Sequence, residues 1–233
     1  MSCFPRSIMV TLLILSYGTL PIRAADFTSL TTADGTTVEF AVALPPGYEP
    51  GTPAPVMLAL PPGPQTKPAV SQGLRDYWAE EAGRRGWVVV SPAAIDGTLY
   101  FGGAEKVIPE LLRHITATFN PPGTKIHLSG ISNGGLSAFH IATQHPTRFS
   151  SLTVYAGFPP NKNGWRWLDR LKNMRVAMFV GEEDTYWKDK MDILKAAFDQ
   201  LGQDVYYEVL PKTGHILRPL KGEAAARVFD MIS

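Results

Sequence analysis

A chain of 233 residues with 22 Lys and Arg against 21 Asp and Glu carries a formal net charge of +1 and a single cysteine. That balance, with no basic stripe and no nucleic-acid motif, leaves no expected polyanion partner. One cysteine excludes a disulfide framework and a cysteine-based metal site.

In chain order, residues 1–6 carry one basic side chain, residues 8–20 form an apolar run, and Ile22-Arg23-Ala24-Ala25 leads into polar sequence. This is the pattern of a secretory signal peptide, with cleavage expected after Ala24 or Ala25. The run is short for a membrane span, and no later stretch of about 18 apolar residues follows it. Cleavage after Ala24 divides the chain into a signal peptide, 1–24, and one domain, 25–233, of 233 − 24 = 209 residues. Such a domain can bury a core without staples. Cys3 goes with the signal segment, so the mature protein is expected to lack a thiol nucleophile, to carry no membrane span and to reside in the periplasm or outside the cell.

Residues 26–32 and 36–44 read as two strands around Asp34-Gly35, a hairpin signal. Residues 56–60, Val-Met-Leu-Ala-Leu, are continuously apolar, as in a strand buried on both faces of a parallel sheet. A helix is expected over 70–85, ended by Gly86, and a buried strand over 87–91. The loop 92–103 carries Tyr100 and Phe101, aromatics expected on the surface, and 104–119 is again helical in period. Further strands are expected over 125–129, 150–155, 176–180 and 205–210, and helices over 136–144, 187–201 and 223–232, with 161–173 irregular. From Val56 onward strands alternate with helices. The expected fold is therefore α/β, a three-layer sandwich on a mostly parallel twisted sheet with an antiparallel N-terminal edge and no separate cap domain.

The chemistry points to one turn. Gly130-Ile131-Ser132-Asn133-Gly134 joins the strand over 125–129 directly to a helix, and glycine relieves the crowding of so abrupt a reversal. Ser132 would stand at the carboxyl end of a strand, with the Asn133 amide and a helix N-terminus facing any oxyanion formed there. Ligands of such sheets bind beyond the carboxyl ends of the strands. Asp184, in Gly181-Glu182-Glu183-Asp184, and His215, in Thr213-Gly214-His215, each follow a strand, in the order Ser, Asp, His.

With that order the chain resembles the α/β-hydrolase superfamily from about residue 38 to 232. It is most similar to compact, lid-less esterases of the depolymerase-like, feruloyl-esterase-like and carboxylesterase-like kind. The resemblance implies a serine hydrolase that cleaves a carboxylic ester through an acyl-enzyme, with Ser132 as nucleophile, His215 as base and Asp184 as its orienting acid. Glu182 and Glu183 compete for the acid role, and Asp184 ranks first by its position. The implied substrate is a small or polymer-linked ester, with no cofactor.

The segment after the third strand departs from the family's His-Gly pattern. It reads Pro61-Pro62-Gly63-Pro64-Gln65, in which three residues lack an amide hydrogen. The second oxyanion donor must then be Gly63 or Gln65, with Gly63 favoured, beside Asn133. Tyr100, Phe101, Phe158, Trp165 and Trp187 are candidate walls of a substrate cleft. His114, His127, His140 and His145 pair with no carboxylate or second histidine at metal-ligand spacing, so no metal is expected. Two other readings stay open: a serine exopeptidase on the same fold, or a hydrolase-fold binding protein that has lost activity.

Overall fold

The computed structural model describes residues 27–232; residues 1–24, expected to be a signal peptide, lie outside the described residues. Eight strands form one sheet in the order β1-β2-β4-β3-β5-β6-β7-β8. β1 (Phe27–Thr31) pairs antiparallel with β2 (Thr37–Ala43), and β2 pairs antiparallel with β4 (Val88–Pro92). All other neighbours are parallel: β4 with β3 (Val56–Leu60), then β5 (Ile126–Ile131), β6 (Phe149–Tyr155), β7 (Arg175–Gly181) and β8 (Tyr206–Leu210). The antiparallel edge is thus confined to the N-terminal hairpin, as expected.

The two faces of the sheet carry separate cores, and period-two alternation along β3 divides them. Val56, Leu58 and Leu60 join a cluster with α3 (Ile108–Phe119), α4 (Asn133–Gln144) and α6 (Thr185–Gln200). Met57 and Ala59 face the opposite cluster with α1 (Lys67–Gly73), α2 (Ala79–Arg84) and α7 (Ala226–Ile232). A strand apolar at every position is what a sheet covered on both sides requires.

Three elements differ from expectation. The helix expected over 70–85 begins at Lys67, because Thr66 caps it by accepting from the Ala69 amide and Pro68 tolerates the first turn. It then widens over Leu74–Trp78 to π geometry before continuing as α2. The stretch 161–173 holds a short helix, α5 (Lys162–Arg166), capped by Asn161, whose Oδ1 accepts from the Gly164 amide at 3.0 Å. Tyr100 is wholly buried and its hydroxyl donates to the Ala93 carbonyl at 2.7 Å, which corrects the expectation that it lies on the surface and lines a cleft.

Candidate active site

The carboxyl ends of the five strands β3, β5, β6, β7 and β8 lie side by side, so the loops leaving them converge. Ser132 follows β5 with φ 55° and ψ −118°, a strained conformation for a residue with a Cβ. Its amide donates to the Tyr155 carbonyl on β6 at 2.8 Å, which holds the turn in place. The glycines on either side are required by close approach. A Cβ on Gly130 would lie 2.1 Å from the Gly134 carbonyl oxygen, and one on Gly134 would lie 2.0 Å from the Leu60 carbonyl oxygen. Strand, turn and helix therefore meet backbone to backbone.

His215 Nε2 lies 2.8 Å from Ser132 Oγ, and His215 Nδ1 lies 2.6 Å from Asp184 Oδ2. With its proton on Nδ1 the imidazole donates to the carboxylate and accepts from the serine hydroxyl, the arrangement that a general base needs. Ser132 is 8 % exposed and the His215 side chain 41 % exposed, so the nucleophile is nearly covered while the base stands open to solvent. The Glu182 carboxylate instead accepts from the Lys212 amide at 2.9 Å, and that bond braces the loop carrying His215. The Glu183 amide donates to the Thr213 carbonyl at 2.9 Å, a second link between the two loops.

The proline-rich segment after β3 is stitched to the elbow helix. Asn133 Nδ2 donates to the Gly63 carbonyl at 3.0 Å. Gln65, wholly buried, donates from Nε2 to Ser137 Oγ at 3.1 Å and accepts at Oε1 from the Tyr100 amide at 3.2 Å. Its own amide is taken by the Pro62 carbonyl, so it is not free to meet an oxyanion. The amides of Gly63 and Asn133 have no protein acceptor among the described residues. Sequence reasoning weighed Gln65 only as an amide donor and missed its side chain; its place in a proline-rich loop, where few donors exist, was the available signal.

Of the aromatic candidates, Phe158 and Trp187 stand at the site, with ring centroids 5.2 Å apart and Trp187 5.1 Å from His215. Trp165 is, like them, partly buried against the core, and among the described residues its ring meets neither of theirs. Phe101 is half-buried and contacts no ring of this cluster. Tyr186, which sequence reasoning passed over, joins Phe158 and Trp187 and is 61 % exposed. Its signal was the Tyr186-Trp187 doublet directly after Asp184.

Among the described residues no three His, Cys, Asp or Glu side chains converge in a metal-binding group, and no helix is long and apolar enough to cross a membrane. A depression of about 530 Å³ at the amino ends of β5, β6 and β7 is lined by Lys125, His127, Ser150 and Arg175. It lies at the opposite end of the sheet from Ser132. His127 there is half-buried, 2.8 Å from Ser151 Oγ and against the Trp87 ring, and desolvation pushes its pKa down to about 4.

Residues 100–217, 118 of 233 positions, match the Esterase family model, described as "Putative esterase". No curated protein sequence matches the chain. Among solved structures the chain is similar to an S-formylglutathione hydrolase from Agrobacterium tumefaciens, at 17 % identity and a TM-score of 0.70 over 88 % of this chain and 93 % of that one. It is similar to a thermostable esterase at 16 % identity and a TM-score of 0.70, over 82 % of this chain and 56 % of that one. A dipeptidyl peptidase 4 from Porphyromonas gingivalis matches at 12 % identity and a TM-score of 0.68, with 88 % of this chain covering 34 % of that one. The chain thus spans little over half the length of the thermostable esterase and about a third of the peptidase. At these identities the likeness establishes the α/β-hydrolase fold.

Proposed function

The chain belongs to the Esterase family, a family of carboxylic ester hydrolases, and we propose that it cleaves its ester through an acyl-enzyme on Ser132. The observation that carries this reading is the relay Ser132–His215–Asp184, at 2.8 and 2.6 Å. A serine hydroxyl is a weak nucleophile until a base in hydrogen-bond reach removes its proton. In acylation the Oγ–carbonyl carbon bond forms, the proton passes to His215 Nε2, and the alcohol departs with that proton as its carbon–oxygen bond breaks. Water repeats the sequence in deacylation and restores the serine. Asp184 keeps the imidazole in the required tautomer and stabilises its protonated form.

The developing oxyanion would meet the Asn133 amide, at the N-terminus of α4, and the Gly63 amide. Three prolines make the second donor scarce, yet Gly63 keeps its amide and Asn133 holds the Gly63 peptide from its other side. That bracing supports an active enzyme over a lapsed, ligand-binding hydrolase. The structural likeness to a dipeptidyl peptidase favours, as a second reading, a peptide bond as substrate. The residues 1–24 pattern supports export to the periplasm or beyond, which the mature N-terminus of the secreted protein, read by mass spectrometry, would test.

The direct test is fluorophosphonate labelling together with p-nitrophenyl ester turnover, in wild type and Ser132→Ala. Labelling at Ser132 and a rate loss of roughly 10³-fold or more in the variant are expected. A wild type that resists the label and hydrolyses no ester would instead favour the lapsed reading.

A further inference from the structure

Phe158, in the loop after β6, and Tyr186 and Trp187, in the first turn of α6 after β7, form one packed aromatic group. The Phe158–Trp187 centroids lie 5.2 Å apart, the Phe158–Tyr186 centroids 6.3 Å and the Tyr186–Trp187 centroids 6.0 Å. Tyr186 is the exposed member, at 61 %, edged against two partly buried rings. The group ends on the base itself, because the Trp187 ring lies 5.1 Å from the His215 ring with a tilt of 36°. Exposed aromatic surface held rigid by its neighbours loses little conformational entropy when another ring packs on it.

Topology says which part of an ester meets this surface. On the reading of Ser132 and His215 given above, the tetrahedral carbon carries three groups besides Oγ: the oxyanion, the acyl substituent and the alkoxy group. The oxyanion must turn toward Gly63, after β3, on one side of β5. The alkoxy oxygen must accept its proton from His215 Nε2, and the base comes from the loop after β8, on the other side of β5. The leaving group is therefore driven to the flank of β6 and β7, and whatever the alkoxy oxygen carries emerges beside the imidazole. That is where Phe158, Tyr186 and Trp187 stand.

We propose that these three residues form a leaving-group subsite for a ring-bearing alcohol, so that the preferred substrates are esters of arylmethyl alcohols whose ring packs on Tyr186. The proposal rests on the acyl-enzyme reading and adds to it the side of the ester that is recognised.

Two isomeric esters separate the possibilities. Benzyl acetate carries its ring on the alcohol, and methyl phenylacetate has the same atoms with the ring on the acyl group. Wild type is expected to show kcat/KM about three- to tenfold higher for benzyl acetate, the scale of one aromatic contact. Tyr186→Ala should bring the ratio of the two to about one, and Tyr186→Phe should keep it. A preference for methyl phenylacetate, or a benzyl preference that survives Tyr186→Ala, would overturn the subsite. If hydrolysis of both esters persists in Ser132→Ala, the acyl-enzyme reading fails instead. A wild type inert to both overturns the subsite, and that reading too if fluorophosphonate leaves Ser132 unlabelled.

Discussion

Gln65 donates from its buried Nε2 to Ser137 Oγ across 3.1 Å, and so ties the proline-rich loop after β3 to the second turn of the helix behind Ser132. Ser137 Oγ in turn donates to the Asn133 carbonyl at 2.9 Å, while the Gln65 carbonyl accepts from the Ala94 amide at 2.7 Å. Gln65 itself sits at φ 52°, a left-handed conformation that this set of bonds holds in place. The loop carrying the Gly63 amide is thus positioned by a side chain that need not touch the substrate.

Gln65→Leu keeps the volume but removes the bonds, which leaves the Tyr100 amide unsatisfied in a buried site. A group that aligns a transition-state donor shows its loss in turnover. We expect kcat to fall roughly 10- to 100-fold, KM to stay within about threefold, and stability to drop by about 1–3 kcal/mol. Steady-state kinetics and thermal unfolding check this; a kcat within twofold of wild type would show that the clamp is only structural.

Asp184 and its two acidic neighbours are distinguishable by substitution. Asp184→Asn should lower kcat by roughly 10³–10⁴-fold, because an amide cannot hold the imidazole in the tautomer that accepts from Ser132. Glu182→Gln keeps an oxygen that can accept from the Lys212 amide, and its expected loss is a few-fold at most. Single-turnover rates on an activated ester rank the variants, and a Glu183→Gln defect as deep as that of Asp184→Asn would reassign the acid.

Gly181 ends β7 beneath the loop of the base. A Cβ there would lie 2.1 Å from the Thr213 carbonyl oxygen and 2.3 Å from that of Gly214. Gly181→Ala must push the two loops apart, and with them Asp184 and His215. We expect a loss of about 2–4 kcal/mol together with at least a tenfold fall in kcat. Gly214→Ala is the control, since a Cβ there meets nothing within 4 Å. Urea unfolding and initial rates on both variants test the contrast.

Stability should depend on pH through His127, far from the site. Burial, with Arg175 adding to it, pushes this histidine from its ordinary 6.5 down to about 4. The unfolded chain therefore binds a proton that the folded chain refuses. The stabilisation is complete above about pH 6.5 and is lost as pH falls toward 4, on the order of 3 kcal/mol in all. Urea midpoints between pH 7 and pH 4 should fall less steeply in His127→Gln than in wild type; parallel curves would remove His127 as the cause.

The order of elements was legible because their signals are local. A short, β-branched or aliphatic run such as Val56–Leu60, bounded by turn residues, reads as a strand covered on both faces, and Gly130, Ser132 and Gly134 mark an elbow through their place between such a run and a helical pattern. Asp184 and His215 were found because the residue after a parallel strand is where such a sheet presents side chains. Tyr100 was misjudged because loop composition does not say which side of the loop turns inward; its hydroxyl is taken by the Ala93 carbonyl, a contact set by how 92–103 folds back on itself. Tyr186 was passed over because the Tyr186-Trp187 doublet marks an aromatic pair after Asp184 but does not say that both rings meet Phe158, which lies 28 positions earlier in the chain.

By itself the sequence determined the strand–helix alternation, the strained serine turn and the three residue types that form the relay, since each depends on neighbours within one element or on the end of one strand. Only the tertiary structure decided that Gln65 reaches Ser137, that Asn133 holds the Gly63 peptide and that Trp187 lies against His215. Those pairs are 72, 70 and 28 positions apart. Their meeting depends on the order in which β3, β5, β6, β7 and β8 pair and on glycines that let their loops touch backbone to backbone, which no local pattern encodes.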